Sequence, residues 1–103
     1  MNTPQPPARA QARLPLGDDL AARYMLQLCK HFEHRRPVTY TDTDGSIGFE
    51  SGTCTLHAGD GTLTLSLTAP DAAARDRLQD VVARHLLRFA FRDPPDIAWT
   101  TLD

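Results

Sequence analysis

The sequence lacks the features that would assign it to a familiar class of protein. It has no apolar run near the roughly 20 residues that a membrane-spanning helix needs, so we expect no membrane partner. Its 103 residues carry a net charge of only -2, which argues against nucleic acid as a partner. Its two cysteines, Cys29 and Cys54, form no Cys-x-x-Cys pair, which excludes the usual structural zinc site. Serine-hydrolase, zinc-protease and glycine-rich phosphate-loop signatures are absent as well.

The N-terminus favours a cytoplasmic location. Residues 1–7 contain three prolines without a periodic pattern, which predicts a flexible leader in front of a single domain over residues 8–103. A secretion signal would show a cationic start followed by an apolar stretch, and the N-terminus has neither. In a reducing cytoplasm Cys29 and Cys54 are expected to remain free thiols.

A strand and a helix are the first elements that the pattern predicts. From Ala8 to Leu14 small apolar residues alternate with polar ones, and this period of two is typical of a half-buried strand. A helix is predicted over residues 19–33, with the Asp18 carboxylate as its N-cap. The apolar stripe of this helix consists of Leu20, Tyr24, Met25, Leu28 and Phe32.

Four short strands follow the first helix. Asp44-Gly45 and Asp60-Gly61 are predicted as tight hairpin turns, because a type I′ turn needs positive φ at both central residues. Apolar and polar residues alternate on both sides of each turn. The apolar positions are Val38 and Tyr40, Ile47 and Phe49, Cys54 and Leu56, and Leu63, Leu65 and Leu67.

A second helix and a short strand complete the chain. Asp71 is predicted to cap a helix over residues 72–89. The apolar stripe of this helix consists of Ala74, Leu78, Val81, Val82, His85, Leu86 and Phe89. Ile97 and Trp99 then indicate a last strand that pairs at an edge of the sheet.

The order of elements predicts an α+β fold. Hairpin connections imply an antiparallel β-sheet, and two amphipathic helices would pack on one face of it. The arrangement β-α-β4-α(-β) resembles the TATA-binding-protein-like topology. That fold hosts unrelated functions, so the topology alone says nothing about activity.

Several short strings in the sequence are similar to a known family. They are residues 28–32 with His34, residues 45–49, residues 52–54, residues 81–86 and residues 88–92. Taken together, over residues 8–99, they resemble the bacterial DUF2218 family, a domain of unknown function. Members of the family occur as small stand-alone proteins, and some lie beside or fused to siderophore-interacting flavin reductases. The resemblance therefore implies a link to iron uptake and a siderophore-related partner protein, and it supplies no catalytic residues.

Three histidines form the candidate metal site. His31 and His34 are three residues apart on the first helix and share a face, whereas Cys29 points away from His31. His85 lies in the apolar stripe of the second helix and would meet His31 if the helices pack side by side. Imidazole is a natural ligand of iron and zinc, so His31, His34 and His85 are predicted to bind a transition metal. The alternative interpretation is a solvated His34 at a helix C-terminus and a hydrogen-bonded core His85.

Arginines form the candidate site for a small anionic ligand. The set consists of Arg84, Arg88 and Arg92 in and after the second helix, joined by Arg35 and Arg36 at the end of the first. The guanidinium group suits phosphate, carboxylate or a negatively charged ferric siderophore. The alternative interpretation is a solvated face on which Asp80 pairs with Arg84 four residues later.

Three functional hypotheses from different classes remain open. The leading one is a non-catalytic accessory module that binds a ligand or metal and is linked to iron or siderophore handling. The second is a small thiol or histidine acid–base enzyme, which needs a low-pKa cysteine in an open site. The third is a homodimeric interaction domain that uses the threonine-rich sheet face or an edge strand.

Overall fold

Within residues 6–90 and 92–102, which the computed structural model describes, six strands form one sheet covered on one face by two helices. The elements are β1 (Ala8–Pro15), α1 (Asp18–Phe32), β2 (Val38–Tyr40), β3 (Asp44–Phe49), β4 (Gly52–Gly59), β5 (Thr62–Ala69), α2 (Ala72–Phe89) and β6 (Thr100–Leu102). This order confirms the predicted α+β class and topology. Most of the leader predicted over residues 1–7 lies outside the described residues.

Every strand pair in the sheet is antiparallel, and the strand order is β2-β3-β4-β5-β1-β6. Strands β2 to β5 form a meander, and β1 lies between β5 and β6 with Leu14 opposite Leu63. Asp60 and Gly61 join β4 to β5 with φ angles of 54° and 71°. Positive φ at both positions confirms the type I′ turn predicted there.

Alternate residues of the central strands point into one apolar core beneath the helices. In β5 these are Leu63, Leu65 and Leu67, none of which is more than 1% exposed. Burial of one leucine side chain stabilises a fold by about 1.5–3 kcal/mol. Helix α1 packs on β3 and β4 and helix α2 on β5 and β1, so both helices share this core.

The N-cap predicted for the first helix is wrong. Helix α1 begins at Asp18 itself, and Gly17 occupies the cap position without a side-chain cap hydrogen bond. Gly17 has a φ of 91°, and its amide donates to the Gly61 carbonyl at 2.8 Å. This contact fixes the start of α1 through the backbone. Asp18 and Asp19 lie in the first turn, where the helix dipole favours negative charge.

The buried stripe of α1 is rotated relative to the prediction. Its buried residues are Ala21, Met25, Leu28, Cys29 and Phe32. Leu20 is 36% exposed and Tyr24 is only partly buried, although both are predicted to be core. Ala21 and Cys29 replace them, and these small side chains let the helix approach the sheet closely.

The turn predicted at Asp44-Gly45 is also wrong. Both residues lie in β3, and the chain turns just before them, where the Thr41 amide donates to the Asp44 carbonyl at 2.7 Å. The Thr41 hydroxyl accepts from the amides of Thr43 and Asp44, so the turn closes without positive φ. Gly45 has a packing role instead, because a Cβ at this position would lie 2.6 Å from the Cys29 Sγ.

The second helix has the predicted bounds and cap. The Asp71 carboxylate accepts a hydrogen bond from the Ala74 amide at 2.8 Å. The buried residues of α2 are Ala74, Leu78, Val82 and Leu86. The predicted edge strand begins at Thr100, so Ile97 and Trp99 precede it and pack against the core instead.

The face of the sheet opposite the helices is polar. It carries Thr53 and Thr55 of β4 and Thr64, Ser66 and Thr68 of β5. A homodimer that uses this face stays a prediction. No helix in the described part of the chain combines the length and apolarity needed to cross a bilayer.

Candidate functional site

Two histidines meet where helix α1 lies beside helix α2. The ring centroids of His31 and His85 are 5.0 Å apart, and the ring planes are tilted by 47°. His31 comes from the last turn of α1 and His85 from the last two turns of α2. The structure therefore brings together the two imidazoles that the sequence places on facing helices.

The His85 ring is held in one tautomer by the main chain. Its Nδ1 lies 2.7 Å from the carbonyl oxygen of Val81, one turn earlier in α2. A carbonyl can only accept, so Nδ1 carries the proton and donates it. In the neutral ring, Nε2 then has the lone pair that can take up a proton or bind a metal ion.

Aromatic side chains hold both imidazoles in position. The Phe32 ring lies 4.9 Å from the ring of His31, edge to face, and 4.9 Å from the ring of His85. The Phe89 ring also lies near His31, with a centroid distance of 5.8 Å. Phe32 is only 9% exposed, so the pair of histidines rests on the hydrophobic core.

The two histidines open into a cleft of about 470 Å³, which we call the histidine cleft. It is lined by His31, Phe32, His34, Arg35, His85 and Arg88. Among these described lining residues none is acidic, while two are arginines and three are histidines. The cleft therefore has a positive electrostatic potential that increases further when the imidazoles are protonated.

The charge of the histidine cleft affects the protonation of His31. Partial desolvation, followed by the positive charges of His85, Arg88, Arg35 and His34, lowers the pKa of His31 below its ordinary value of 6.5. The free protein thus disfavours the imidazolium form of His31. An anion placed among these groups would oppose that effect and favour protonation.

The lowered pKa of His31 predicts that acid destabilises the fold. Below pH 6.5 the unfolded chain binds a proton at this residue that the folded protein resists, so stability falls as the pH decreases through that value. Wild-type protein is expected to lose more stability between pH 7.5 and pH 5.5 than the His31→Gln variant. Solvent screening of this exposed side chain keeps the difference below about 1 kcal/mol. Urea unfolding at both pH values measures it, and an identical loss in the two proteins would contradict the prediction.

The arginines predicted as one anion site are separated in the structure. Arg88 lines the histidine cleft, whereas the Arg84 guanidinium pairs with the Asp80 carboxylate at 3.1 Å, as the alternative interpretation predicts. Arg92 lines a different cleft, beside Tyr24 of α1. Of the two arginines at the end of α1, Arg35 joins Arg88 in the histidine cleft. Arg35 and Arg88 are therefore the two arginines of the predicted set that lie beside the histidines.

The three histidines line a common cleft without forming a three-ligand metal site. In residues 6–90 and 92–102 no three side chains among His, Cys, Asp and Glu come together in a way that could hold a metal ion. His31, His34 and His85 are nevertheless all lining residues of the histidine cleft. Metal binding by these histidines stays a proposal, and it would use fewer than three of them at once.

Both cysteines are buried thiols. Burial, and then the negative charge of Glu33, raises the pKa of Cys29 to about 11. Burial also raises the pKa of Cys54 to about 12, with a further contribution from Cys29. The thiolate is the reactive form of cysteine, so these values oppose the thiol-enzyme hypothesis.

The remaining histidine lies on the polar side of the sheet. His57 Nδ1 is 2.7 Å from an Asp44 carboxylate oxygen, and both side chains are largely exposed. The Thr43 hydroxyl, and then His57, lower the pKa of Asp44. Cys54 and His57 thus face opposite sides of β4, as expected for residues three apart on a strand.

Sequence reasoning missed the aromatic support of the site. Phe32 appears in the sequence only as a core residue, but its ring contacts both imidazoles and the ring of Phe49. No periodicity indicates that Phe49, at the end of β3, reaches the end of α1. His31 and Phe32 are adjacent in the sequence, and this adjacency is the one local signal that their rings lie close together.

Comparisons with known proteins extend over nearly the whole domain. The family model described as "Uncharacterized protein conserved in bacteria (DUF2218)" matches residues 11–100. The chain is also similar to the NMR structure of PA4090 from Pseudomonas aeruginosa, with a TM-score of 0.68 and 32% sequence identity. That similarity covers 93% of this chain and 96% of the other. No curated protein matches the chain.

Proposed function

Because the chain belongs to the DUF2218 family of uncharacterized bacterial proteins, we propose a function from its geometry: a non-catalytic module that binds a small anion. The observation that carries this proposal is the histidine cleft, where Arg35 and Arg88 lie beside His31 and His85 without an acidic neighbour among the described lining residues. Carboxylates and phosphates are the small anions that guanidinium and imidazolium groups bind best.

Anion binding at this site is coupled to proton uptake. Neutral His85 presents a lone pair at Nε2, because Nδ1 donates to the Val81 carbonyl. A lone pair repels an oxyanion, whereas a protonated Nε2 donates a charge-assisted hydrogen bond to it. The pKa of His31 is lowered in the free protein, so protonation of this ring costs free energy as well. A bound anion must offset that cost. The anion therefore binds more tightly as the pH falls.

Calorimetric titration with sulfate tests the proposal, because sulfate keeps its charge throughout the pH range used. Affinity is expected to be several-fold, up to about tenfold, higher at pH 5.5 than at pH 7.5, as one linked imidazole proton allows. Arg88→Ala is expected to weaken binding at least about tenfold, since hydrogen bonds to charged groups contribute about 1.5–3 kcal/mol.

Arg84→Ala is the matched control for Arg88→Ala. It removes the same charge from the same helix, one turn earlier, where the guanidinium is paired with Asp80. Sulfate affinity should change little in this variant. Equal losses in the two variants would show that the effect is nonspecific attraction to a cationic surface, and the cleft would lose its assignment.

Transition-metal binding is the second candidate, and one observation favours it. Metal-binding histidines usually donate their other ring N–H to a carbonyl or carboxylate, as His85 does to Val81. Two imidazoles, His31 and His85, would then hold iron or zinc with help from an added ligand. The charges of Arg35 and Arg88 oppose a cation, which is why we rank this candidate second.

The pH dependence of binding separates the two candidates. A metal ion needs neutral imidazoles and displaces protons, so its affinity rises with pH, opposite to the anion. Titration with zinc or ferrous iron at pH 5.5 and 7.5 gives the sign directly. Unchanged metal affinity in the variant with His31→Ala and His85→Ala would remove the metal candidate.

A link to iron or siderophore handling is the finer part of the proposal. A ferric siderophore complex with net negative charge belongs to the class of anions that the histidine cleft suits. A negatively charged ferric tris-catecholate is a direct probe, and its binding should depend on Arg88. If this complex fails to bind while sulfate binds, the iron link falls and the anion site stands.

A further inference from the structure

A second cleft adjoins the histidine cleft. It has a volume of about 580 Å³ and lies between the end of α1, the first half of α2 and the turn from β3 to β4. We call it the apolar cleft. Phe32 and Arg35 line both clefts, so the two adjoin each other at the end of α1.

The floor of the apolar cleft is hydrophobic. It is formed by Phe32 and Phe49 together with Ala74, Leu78 and Val81 of α2. The Phe32 and Phe49 rings meet edge to face, with centroids 5.0 Å apart and planes at 79°. An arrangement of this kind accepts a further flat apolar group by offset or edge contacts. A cavity of about 150 Å³ already holds one benzene ring, so the available space is ample.

The rim of the apolar cleft is charged. Arg36 pairs with Glu50 at 3.8 Å across the end of α1 and the turn from β3 to β4. The Asp71 carboxylate is engaged as the cap of α2, and Arg77 lies one turn and a half further along the helix. Phe32 also lines the histidine cleft, where the described lining residues include two arginines and no acidic residue.

We infer that the protein's ligand is an amphipathic oxyanion, an aromatic carboxylate or aromatic phosphate that occupies both clefts at once. The anionic group lies among His31, His85 and Arg88, and the ring lies on Phe32, Phe49 and Val81. This inference rests on the proposed anion-binding function and adds the class of the ligand. Arg35 lines both clefts, so its guanidinium contacts the anionic group from the apolar cleft, where the ligand's ring lies.

Two matched probe pairs test the inference by calorimetry at pH 6. One pair is benzoate and acetate, and the other is phenyl phosphate and methyl phosphate. The aromatic member of a pair is expected to bind at least about tenfold more tightly than its aliphatic partner. The pair with the higher affinity identifies carboxylate or phosphate as the preferred group.

Variants locate the ring of the bound probe. Phe49→Ala should remove most of the aromatic preference while the affinity for acetate stays nearly unchanged. Leu87→Ala is the control, because it removes an exposed apolar side chain of α2 outside both clefts. Intermolecular nuclear Overhauser effects from the benzoate ring to the Val81 methyl groups give a second readout that does not depend on a folded Phe49 variant.

The outcomes distinguish the inference from the function on which it rests. Equal affinity for benzoate and acetate, with both lost in Arg88→Ala, would overturn the two-part ligand and leave the anion site standing. Benzoate binding that does not depend on Arg88 would overturn the two-part ligand as well, because the ring alone would then be recognised. If none of the four probes binds while sulfate does, the inference fails and the anion site stands. If sulfate fails to bind as well, the proposed function and the inference fail together.

Discussion

Replacement of Gly52 by alanine is expected to lower the free energy of unfolding by about 3 kcal/mol or more. Gly52 opens β4 with a φ of 150°, a conformation that residues with a side chain rarely adopt. A Cβ there would overlap the Thr68 carbonyl oxygen and would lie 2.8 Å from the Leu78 Cδ1. Backbone strain and steric overlap therefore add together at this position.

Urea unfolding of Gly52→Ala measures this effect, and Gly17→Ala is the matched control. Gly17 also has positive φ, at 91°, but a Cβ there meets nothing within 4 Å. The control should show only the cost of backbone strain, about 1–2 kcal/mol. Equal losses in the two variants would contradict the close approach of Gly52 to Thr68 of β5 and Leu78 of α2. Leu78 also lines the apolar cleft, so the experiment tests the position of one of its lining side chains.

Replacement of Gly45 by alanine is the second variant with a large expected effect. Its Cβ would lie 2.6 Å from the buried Cys29 Sγ, so either the thiol or the helix must move. Overpacking of this kind typically costs about 1–3 kcal/mol. A single sulfur atom causes this overlap. Adding Cys29→Ala to the Gly45→Ala variant should therefore restore most of the lost stability.

A double-mutant cycle on Gly45→Ala and Cys29→Ala measures the contact directly. The double variant is expected to lose at least about 1 kcal/mol less stability than the sum of the two single losses. Cys29→Ala removes the sulfur that the added Cβ would overlap, and the added Cβ takes up space that the sulfur leaves. Gly48→Ala in the same strand is the control, because its Cβ would meet the Pro37 Cγ at 3.2 Å on the surface. Strictly additive losses from Gly45→Ala and Cys29→Ala would contradict the packing of α1 on β3.

Much of the fold could be predicted because the patterns are local. Leu63, Leu65 and Leu67 alternate without interruption, and all three are buried. The carboxylate of Asp71 is an N-cap with the expected hydrogen bond to Ala74. In these cases the residues that create the signal also make the contact, so sequence reasoning needs no knowledge of distant partners.

The wrong predictions concern residues whose role depends on a distant partner. Gly45 resembles a turn residue in sequence, but Cys29 from another element requires its small size. Asp18 resembles an N-cap, but a backbone contact between Gly17 and Gly61 fixes that helix start. Local propensity cannot report contacts of this kind, because the partner lies far away in the chain.

At the candidate site, too, local patterns could be predicted from the sequence, whereas contacts between distant residues could not. The meeting of His31 and His85 follows from two amphipathic helices packed side by side on one sheet face, and both helices can be predicted from the sequence. The apolar cleft depends on Phe49, which reaches Phe32 only through the fold of the sheet. Likewise, Arg88 and Arg84 look equivalent in sequence, but one lines the cleft and the other is paired with Asp80.

The coupling of anion binding to a proton at the helix junction is tested most directly by NMR titration of His31. Ring nitrogen and carbon signals, followed against pH with and without saturating sulfate, report the protonation of this imidazole. Bound sulfate is predicted to raise the pKa of His31, which is lowered in the free protein, while the signals of His57 on the far side of the sheet stay unchanged. A His31 titration curve that is identical with and without sulfate would contradict the account.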